Sequence, residues 1–419
     1  MVRVAPFPAV RPHPSYAARI ASVPYDVVNT EEARALAQDN PLSFLHVVRP
    51  EIDLPADTSP YDDAVYAKGL ENLEQLLADG NLVADGEPRI FLYRQVMNHV
   101  SQVGIVCRCH IEDYLENRIR KHELTRQDKE DDRTRHVQTL AANTGPVFLT
   151  YRDDTTLESL IAHDCNARPL YHFDAPDGVT HTVWPVSDPQ PYVDAFAALD
   201  AVYVADGHHR SASAARAGAE RRAANPDHTG EEPYNWFLSV LFAASSLHIL
   251  PYHRVIRDLG DLTPADVLEK LATLGTVAPT TEPGPTERGQ FDVLLEGTWH
   301  RVTIDPGTID HSDAVSSLDV ALVHDRFVGP VLGIEDIRND PRIGFVGGIR
   351  GIGELERLVE SGAAAMAIAM HATSIDELLA VSDDGAIMPP KSTWFEPKLR
   401  SGLFVHRIGD PMPSAPSSV

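Results

Sequence analysis

The sequence contains few cysteines and no long apolar run. Cys107, Cys109 and Cys165 are its three cysteines, an odd number that is too small for a disulfide framework. No apolar run approaches the roughly 20 residues that span a bilayer, and the first residues have no signal-peptide core. These absences argue against a secreted domain stabilised by disulfide bonds and predict a cytoplasmic protein without a membrane segment.

Positive charge is also scarce. Lys and Arg number 36 against 61 Asp and Glu, which gives a formal net charge of −25. So acidic a surface repels phosphate backbones and anionic lipid, and the prediction is that neither nucleic acid nor a membrane is a partner. Net charge does not describe a single cleft, so a local basic pocket for a small anion stays open.

Several well-known catalytic motifs are missing as well. The sequence has no Gly-x-x-x-x-Gly-Lys-Ser/Thr loop, no protein-kinase His-Arg-Asp or Asp-Phe-Gly segment, and no Gly-x-Ser-x-Gly elbow. P-loop kinases, protein kinases and α/β-hydrolases of the usual type are therefore not indicated.

The residue patterns predict a mixed α/β protein. With 419 residues, 43% of them hydrophobic, the chain is long enough for two or three domains, or for one enlarged core with additions. Prolines punctuate the first residues, and helices are predicted from Thr30 and from Ser59-Pro60 to Gly80. Residues 89–95 and 103–110 read as strands, and Cys107 and Cys109 share one face of the second. Strands and helices then mix without regular alternation, which favours α+β or irregular α/β.

The sharpest local feature is the segment Ala205-Asp206-Gly207-His208-His209-Arg210. A short buried strand over 201–205 leads into it, and an Ala-rich helix over 211–224 follows. Glycine at such a junction lets backbone N–H groups approach a ligand, and the helix N-terminus attracts anions. The guanidinium of Arg210 suits phosphate oxygens, and Asp206 could hold a divalent cation or orient a histidine.

Two alternative interpretations of this segment remain, one purely structural and one involving zinc. Asp206 could be only the helix N-cap, with His208 and His209 at the surface or filling the core. Zinc binding by the two histidines is a further alternative, although no Cys-x-x-Cys or His-Glu-x-x-His accompanies them.

Two other segments carry candidate residues. In Arg120-Lys121-His122-Glu123-Leu124-Thr125, the carboxylate of Glu123 could act as a general base, although a charge run is usually a solvated face. The segment from Met388 to Phe395, with Lys398, combines rigid prolines, hydroxyls, two lysines and two aromatics. It could bind an anion or be a rigid loop without a ligand.

The whole chain resembles a widespread prokaryotic family known as domain of unknown function 1015. The resemblance rests on motifs in order along the chain: Pro6-Phe7, Arg11-Pro12, Pro24-Tyr25-Asp26-Val27, Tyr93-Arg94-Gln95, Glu112-Asp113-Tyr114, His122-Glu123-x-Thr125, Ala205 to Arg210, Leu250-Pro251-x-His253-Arg254, Leu318-Asp319-Val320, Met388 to Phe395 and Pro397-Lys398-Leu399.

The central part, roughly residues 88–250, also resembles free L-serine kinases of the ParB/sulfiredoxin-like fold. The resemblance implies that Glu123 deprotonates the hydroxyl of serine. It also implies that Asp206, His208, His209 and Arg210 serve the nucleotide phosphates and Mg²⁺, with Asp206 as the metal ligand. His208 stands where sulfiredoxin has its cysteine, so sulfinic-acid chemistry is not expected, and the acidic chain argues against ParB-like DNA binding.

These features together predict a kinase that transfers a phosphoryl group from ATP or ADP, with Mg²⁺, to free L-serine. Glu123, Asp206 and His209 are the predicted catalytic residues. The predicted nucleotide-binding residues are Gly207, His208, Arg210, Thr125, Lys391, Ser392 and Thr393. A regulatory module that binds nucleotide without turnover, and a kinase of another hydroxyl compound such as homoserine or a polyol, remain alternatives.

The predicted organisation has four parts. Residues 1–87 form a Pro-rich and helical region, 88–250 the ParB/sulfiredoxin-like catalytic core, 251–408 a C-terminal α/β region and 409–419 a flexible tail. We expect the N-terminal region and the segment from Met388 to Lys398 to close over the central site. Homo-oligomerisation stays open, because the sequence does not fix the number of subunits.

Overall fold

The computed structural model describes residues 1–410, and these residues form 21 strands and 13 α-helices. The strands are β1 (Val4–Ala5), β2 (Val10–Pro12), β3 (Leu82–Ala84), β4 (Phe91–Met97), β5 (Val100–His110), β6 (Ile119–Arg120), β7 (Ala142–Asn143), β8 (Val147–Tyr151), β9 (Tyr171–Asp174), β10 (Thr180–Pro185), β11 (Val202–Asp206), β12 (Trp236–Ala243), β13 (His248–Leu250), β14 (Tyr252–Ile256), β15 (Gly275–Pro279), β16 (Gln290–Leu295), β17 (Thr298–Ile304), β18 (Ile343–Gly347), β19 (Met366–Met370), β20 (Trp394–Glu396) and β21 (His406–Arg407). The helices are α1 (Ala17–Ile20), α2 (Thr30–Ala37), α3 (Leu45–Val48), α4 (Asp63–Ala78), α5 (Ile111–Leu115), α6 (Gln127–Leu140), α7 (Thr155–Asp164), α8 (Gln190–Ala197), α9 (His208–Ala224), α10 (Pro264–Ala272), α11 (Asp319–Val323), α12 (Gly351–Glu360) and α13 (Ile375–Asp383). The predicted mixed α/β class is confirmed. Residues 411–419 of the predicted tail lie outside the described residues.

The residues fall into two compact units. The first unit comprises residues 1–247 together with 397–410, and the second comprises residues 248–396. The predicted division into four parts stays a prediction. The structure groups the N-terminal residues with the central ones, because β1 pairs with β5.

A nine-stranded mixed sheet organises the first unit. Its strand order is β6-β11-β8-β12-β5-β4-β10-β9, and β1 pairs with β5 beside this path. Two strand pairs in it are parallel, β6 with β11 and β8 with β12, and the others are antiparallel. Strand β6 is therefore an edge strand, and β11 lies directly inside it.

The sheet buries the main hydrophobic cluster of the first unit, which includes Ile105, Leu149, Val204 and Phe237. Cys107 and Cys109 belong to the same cluster, so their thiols are packed and free of disulfides, and burial raises the pKa of the Cys107 thiol. Helices α2, α3 and α4 form a second apolar cluster with parts of the N-terminal strands.

The two predicted N-terminal helices are present, and only the second begins later than predicted. Helix α2 begins at Thr30, but its cap is Asn29, which exchanges hydrogen bonds with Glu32 in a capping box. Helix α4 begins at Asp63, after the Asp62 cap, rather than at Ser59. Each start is set by the side chain that satisfies the first free N–H groups.

The second unit is built on a six-stranded antiparallel sheet of order β15-β17-β16-β19-β14-β18. A short pair, β13 with β20, lies apart from that sheet. Among the described residues of both units, no helix combines the length and apolarity that crossing a membrane requires.

Candidate functional site

Two neighbouring strands of the first unit end at the same edge of the sheet. The parallel pair β6 and β11 is in register from Val202 opposite Ile119 to Tyr203 opposite Arg120. Because both strands run in the same direction, the chain that follows β6 and the chain that follows β11 emerge side by side. The first of these segments carries Glu123, and the second is the turn at Asp206 and Gly207.

Gly207 makes the turn from strand to helix. It is the N-cap residue of α9 and has φ +96° and ψ 34°, in the left-handed region that favours glycine. A Cβ atom here would lie 3.1 Å from both Cζ and Nε of Arg210, so the guanidinium packs on the glycine backbone. The alternative that Asp206 is the N-cap of the helix is wrong. Asp206 is the last residue of β11, and the N-cap is Gly207, which has no side chain to accept a hydrogen bond.

Asp206 lies between two cations. Its Oδ2 accepts a hydrogen bond of 3.1 Å from Nζ of Lys398 and is 3.7 Å from Nη2 of Arg210. Burial alone would raise the pKa of Asp206, but the charges of Lys398 and Arg210 outweigh burial and hold that pKa below its usual value. The carboxylate is therefore ionised over the whole physiological pH range.

Glu123 lies beside the first residue of α9. Its Oε2 is 3.9 Å from Nδ1 of His208, and 36% of its side chain is exposed. The carboxylate thus borders the turn and remains open to solvent. The structure therefore places the Glu123 carboxylate beside the residue that follows the glycine turn.

A buried pair of histidines supports this corner. The rings of His122 and His208 are 4.5 Å apart and nearly perpendicular, and both side chains are almost fully buried. Burial lowers the pKa of His122 to about 4 and that of His208 well below its usual value. Both imidazoles are therefore neutral at pH 7, and neither adds positive charge beside Glu123.

His209 and Thr125 hold the loop that carries Glu123. The backbone N–H of Arg126 donates a hydrogen bond of 3.1 Å to Nε2 of His209, so this nitrogen carries no proton. The hydroxyl of Thr125 donates to Glu130 at 3.0 Å. These contacts give both residues a structural function here, and their predicted catalytic and nucleotide-binding roles stay predictions.

Arg210 connects the turn to the N-terminal segment. Its Nη1 donates to the carbonyl of Pro146, and its Nη2 is 3.7 Å from Oδ2 of Asp26. Asp26 is a site residue that the sequence reasoning missed, although Pro24-Tyr25-Asp26-Val27 was among the family motifs. Lys398 was noted as a candidate anion ligand but not as the partner of Asp206.

The other predicted nucleotide-binding residues lie in the second unit. Lys391 has a left-handed backbone with φ +60°, and its carbonyl accepts a hydrogen bond of 3.2 Å from Arg254. The Ser392 hydroxyl donates to the carbonyl of Pro389 at 2.6 Å. Thr393 precedes β20. The nucleotide-binding roles of Lys391, Ser392 and Thr393, and the expected closure of their segment over the site, stay predictions.

The side chains described at the turn do not form a site that could hold a metal ion by themselves. Among the described residues, no group of three or more His, Cys, Asp or Glu side chains could hold a metal ion. The carboxylate of Asp206 is already bonded to Lys398. Mg²⁺ in nucleotide-binding proteins is commonly held by one or two carboxylates plus substrate phosphates, so an ion here would come with the nucleotide. Asp206 as a Mg²⁺ ligand stays a prediction.

Comparison with solved structures finds weak similarities. A free serine kinase variant in complex with ADP is 14% identical, with a TM-score of 0.37, over 71% of this chain and 92% of that chain. A conserved hypothetical protein from Pyrococcus furiosus is 14% identical, with a TM-score of 0.36, over 71% of this chain and 94% of that chain. C-terminally truncated SbnI from Staphylococcus aureus is 11% identical, with a TM-score of 0.37, over 72% of this chain and 87% of that chain. Similarities of this size support no conclusion about activity.

No curated protein matches the chain. A family model described as a protein of unknown function, DUF1015, matches residues 4–321, about three quarters of the chain. The matched segment contains the Glu123 loop, the Gly207 turn and their supporting strands. The chain therefore belongs to the DUF1015 family.

Proposed function

We propose that the protein is a small-molecule kinase that transfers a phosphoryl group from ATP or ADP to the hydroxyl of free L-serine. The observation that carries the proposal is the distance of 3.9 Å between Oε2 of Glu123 and Nδ1 of His208, the first residue of α9. It brings a carboxylate to the helix N-terminus that would hold phosphate. We also propose that residues 88–250 form a ParB/sulfiredoxin-like core, which the motif resemblance suggests.

Glu123 is the proposed general base. Its side chain is 36% exposed, and a carboxylate in this position can accept a proton from the substrate hydroxyl as the new O–P bond forms and the bond to the leaving nucleotide breaks. The neighbouring His122 and His208 are neutral at pH 7. As neutral groups they add no positive charge beside the Glu123 carboxylate.

The turn residues are the proposed phosphate ligands. Backbone N–H groups at the start of α9 point toward the turn, and the helix N-terminus carries partial positive charge. Arg210 and Lys398 add two full positive charges within 4 Å of Asp206. Phosphoryl transfer needs mainly positioned reactants and cations on the developing charge, and this arrangement offers both.

L-serine as the acceptor is supported by the motif resemblance to free serine kinases. A pocket for another small hydroxyl compound would use the same base and the same phosphate ligands. Acceptor selectivity depends on a few contacts around the hydroxyl compound. The experiment therefore has to include several acceptors.

Product formation tests the proposal. The purified full chain is incubated with Mg²⁺, with ATP or ADP, and with L-serine, L-homoserine or glycerol, and phosphorylated products are measured by ³¹P NMR. We expect O-phospho-L-serine from the wild type and a loss of about 100-fold or more in rate for Glu123→Gln, with nucleotide affinity unchanged.

Glu116→Gln is the matched control. Glu116 is an exposed glutamate shortly before β6 and forms an ion pair with Arg118, so the same substitution there should leave the rate unchanged. Absence of product with every acceptor, or full activity of Glu123→Gln, would contradict the proposal. Nucleotide binding without any turnover would instead favour the regulatory module.

A further inference from the structure

A cavity lies next to the turn in the first unit. With the solvent at its mouth it measures about 390 Å³. The residues that line it come from α6, α9, the segment before β8 and three more distant segments: Tyr25, Val48, Arg133, His136, Val137, Asn143, Thr144, Gly145, Arg210, Ser213 and Ser401. Glu123 is not among the lining residues, whereas Arg210, which packs on the turn, is one of them.

The charge of the cavity lining is positive. Arg133 and Arg210 contribute two guanidinium groups, whereas no carboxylate is part of the lining. Arg133 is paired with Asp132 at 2.8 Å. Asp132, Asp26 and Asp206 balance the charge of these arginines from outside the lining, so the two guanidinium groups offer an anionic ligand N–H donors rather than a net positive charge.

Arg210 retains hydrogen-bonding capacity. Its side chain is only 10% exposed, and its Nε has no hydrogen-bond acceptor among the described residues. Its Nη2 is 3.7 Å from both Asp26 and Asp206, which is beyond hydrogen-bond distance. A buried guanidinium with unsatisfied donors is stabilised by a ligand that accepts from them.

Hydroxyl groups complete the lining. Burial raises the pKa of Tyr25, with the nearby charge of Asp26 acting in the same direction, so its phenol stays protonated and can donate. The guanidinium of Arg133 lies over the Tyr25 ring at 4.2 Å, which fixes the ring in place. Ser213 and Ser401 are fully buried at the cavity wall.

We infer that this cavity binds a small oxyanion, either a carboxylate or a phosphoryl group, through Arg210, Arg133 and the hydroxyl of Tyr25. Ser213 is one helical turn beyond Arg210, about 5 Å along α9, so the anion lies close to the proposed phosphate ligands. The inference deepens the proposed function, since the anion belongs either to the acceptor or to the nucleotide. Binding itself requires no turnover.

Isothermal titration calorimetry with inorganic phosphate tests the inference on the full chain. Ser213→Val narrows the cavity, and we expect it to raise the phosphate Kd about fivefold or more. Tyr25→Phe removes only the hydroxyl, and we expect a rise of about threefold or more. The Tyr25 variant keeps the test decisive if the Ser213 variant does not fold.

Tyr192→Phe is the matched control. Tyr192 is fully buried in the first unit, and its hydroxyl donates to Asp164 at 2.8 Å, away from the cavity. Its phosphate Kd should equal that of the wild type. Equal phosphate Kd values in wild type, Ser213→Val and Tyr25→Phe would overturn the inference, as would wild-type phosphate binding weaker than about 10 mM.

Competition identifies the source of the anion. Displacement of phosphate by L-serine assigns the cavity to the acceptor carboxylate, and displacement by ADP assigns it to a nucleotide phosphoryl group. Phosphate binding that depends on the cavity residues, in a chain that forms no phosphorylated product, would leave this inference standing and contradict the kinase proposal alone.

Discussion

Nζ of Lys398 donates a hydrogen bond of 3.1 Å to Oδ2 of Asp206, although 192 residues separate the two in the chain. Their side chains are 13% and 27% exposed, so the pair is largely shielded from water. The contact joins a residue near the C-terminus to the strand that delivers the candidate site. The ion pair therefore contributes to folding of the first unit and also sets the charge at the turn.

Replacing Lys398 with methionine should destabilise the protein at pH 7. The substitution leaves Asp206 with only the more distant Arg210, and we expect a loss of about 2 kcal/mol in the free energy of unfolding. In the wild type the pKa of Asp206 is lowered, so its contribution is complete above the ordinary value of 3.8 and is lost as pH falls further. Urea unfolding at several pH values measures this difference, which should be largest near neutrality and shrink below about pH 4.

Lys68→Met is the control for that substitution. Lys68 pairs with Glu71, which is 68% exposed, one helical turn away on α4, and such pairs contribute well under 1 kcal/mol. A Lys398→Met variant that is no less stable than Lys68→Met would show that the buried pair does not stabilise the fold.

Gly207→Ala should be destabilising and should weaken nucleotide binding. Alanine is strained at φ +96°, and its Cβ would press on the Arg210 guanidinium at 3.1 Å. We expect a cost of about 1–3 kcal/mol and a lower affinity for ADP, measured by thermal unfolding and calorimetry. Gly80→Ala is the control. Gly80 has φ +71° with open space around its Cβ position, so alanine there causes backbone strain but no steric contact with a neighbouring side chain. Unchanged ADP affinity in the Gly207 variant would remove this turn from the nucleotide site.

The buried histidines should make the protein less stable in mild acid. The unfolded chain protonates His122 near its ordinary pKa of 6.5, whereas the folded chain does so only near 4. Between these values the unfolded state binds the extra proton, so stability falls as pH falls. His122→Phe should flatten this dependence by up to about 1 kcal/mol per pH unit between about pH 6 and pH 5.

Urea titrations at pH 6 and pH 5 provide the measurement. His163→Phe is the comparison, because the His163 side chain is 85% exposed and the same substitution there tests for a general effect of the aromatic ring. An identical pH dependence in His122→Phe and the wild type would be inconsistent with a neutral buried imidazole.

Asp113 should prove to be structural. It is fully buried and accepts hydrogen bonds from the backbone N–H and the side chain of Arg3, and from Arg118, at 2.6 to 2.8 Å. Asp113→Ala should cost about 3–5 kcal/mol, because two arginines lose their buried partner. The exposed pair of Asp128 with Arg126 offers the contrast, and Asp128→Ala should cost less than about 1 kcal/mol in the same urea titration. Near-equal losses would contradict a buried network.

Local sequence patterns were sufficient to predict several strands and helices around the site. Strands β4 and β5 and helix α9 follow from apolar runs and alanine content, and these features depend only on neighbouring residues. Strands β9 and β10 were missed because Tyr171–Asp174 and Thr180–Pro185 are short and rich in polar residues. Strand β10 is stabilised by pairing with β4, which is distant in the chain, and β9 by pairing with β10.

The site was predictable only in part. The motif at Asp206 to Arg210 stands out because glycine, acid and basic residues follow a buried strand without interruption. Asp26 and Lys398 reach the same turn from distant parts of the chain, and no periodicity links them to it. The resemblance to the family marked both segments, but neither it nor the sequence pattern indicated which residue each one contacts.

The pairing of β6 with β11 spans only two residues, at the edge of a nine-stranded sheet. Such a short ladder can open by local unfolding at far lower free energy than the central strands require. Opening it together with the hydrogen bond from Arg126 to His209 would release the Glu123 loop from the turn while the rest of the sheet stays intact. Amide hydrogens of residues 119 and 120 should therefore exchange with solvent well before those of β5 and β12, and heating should abolish any activity that needs Glu123 before the first unit melts.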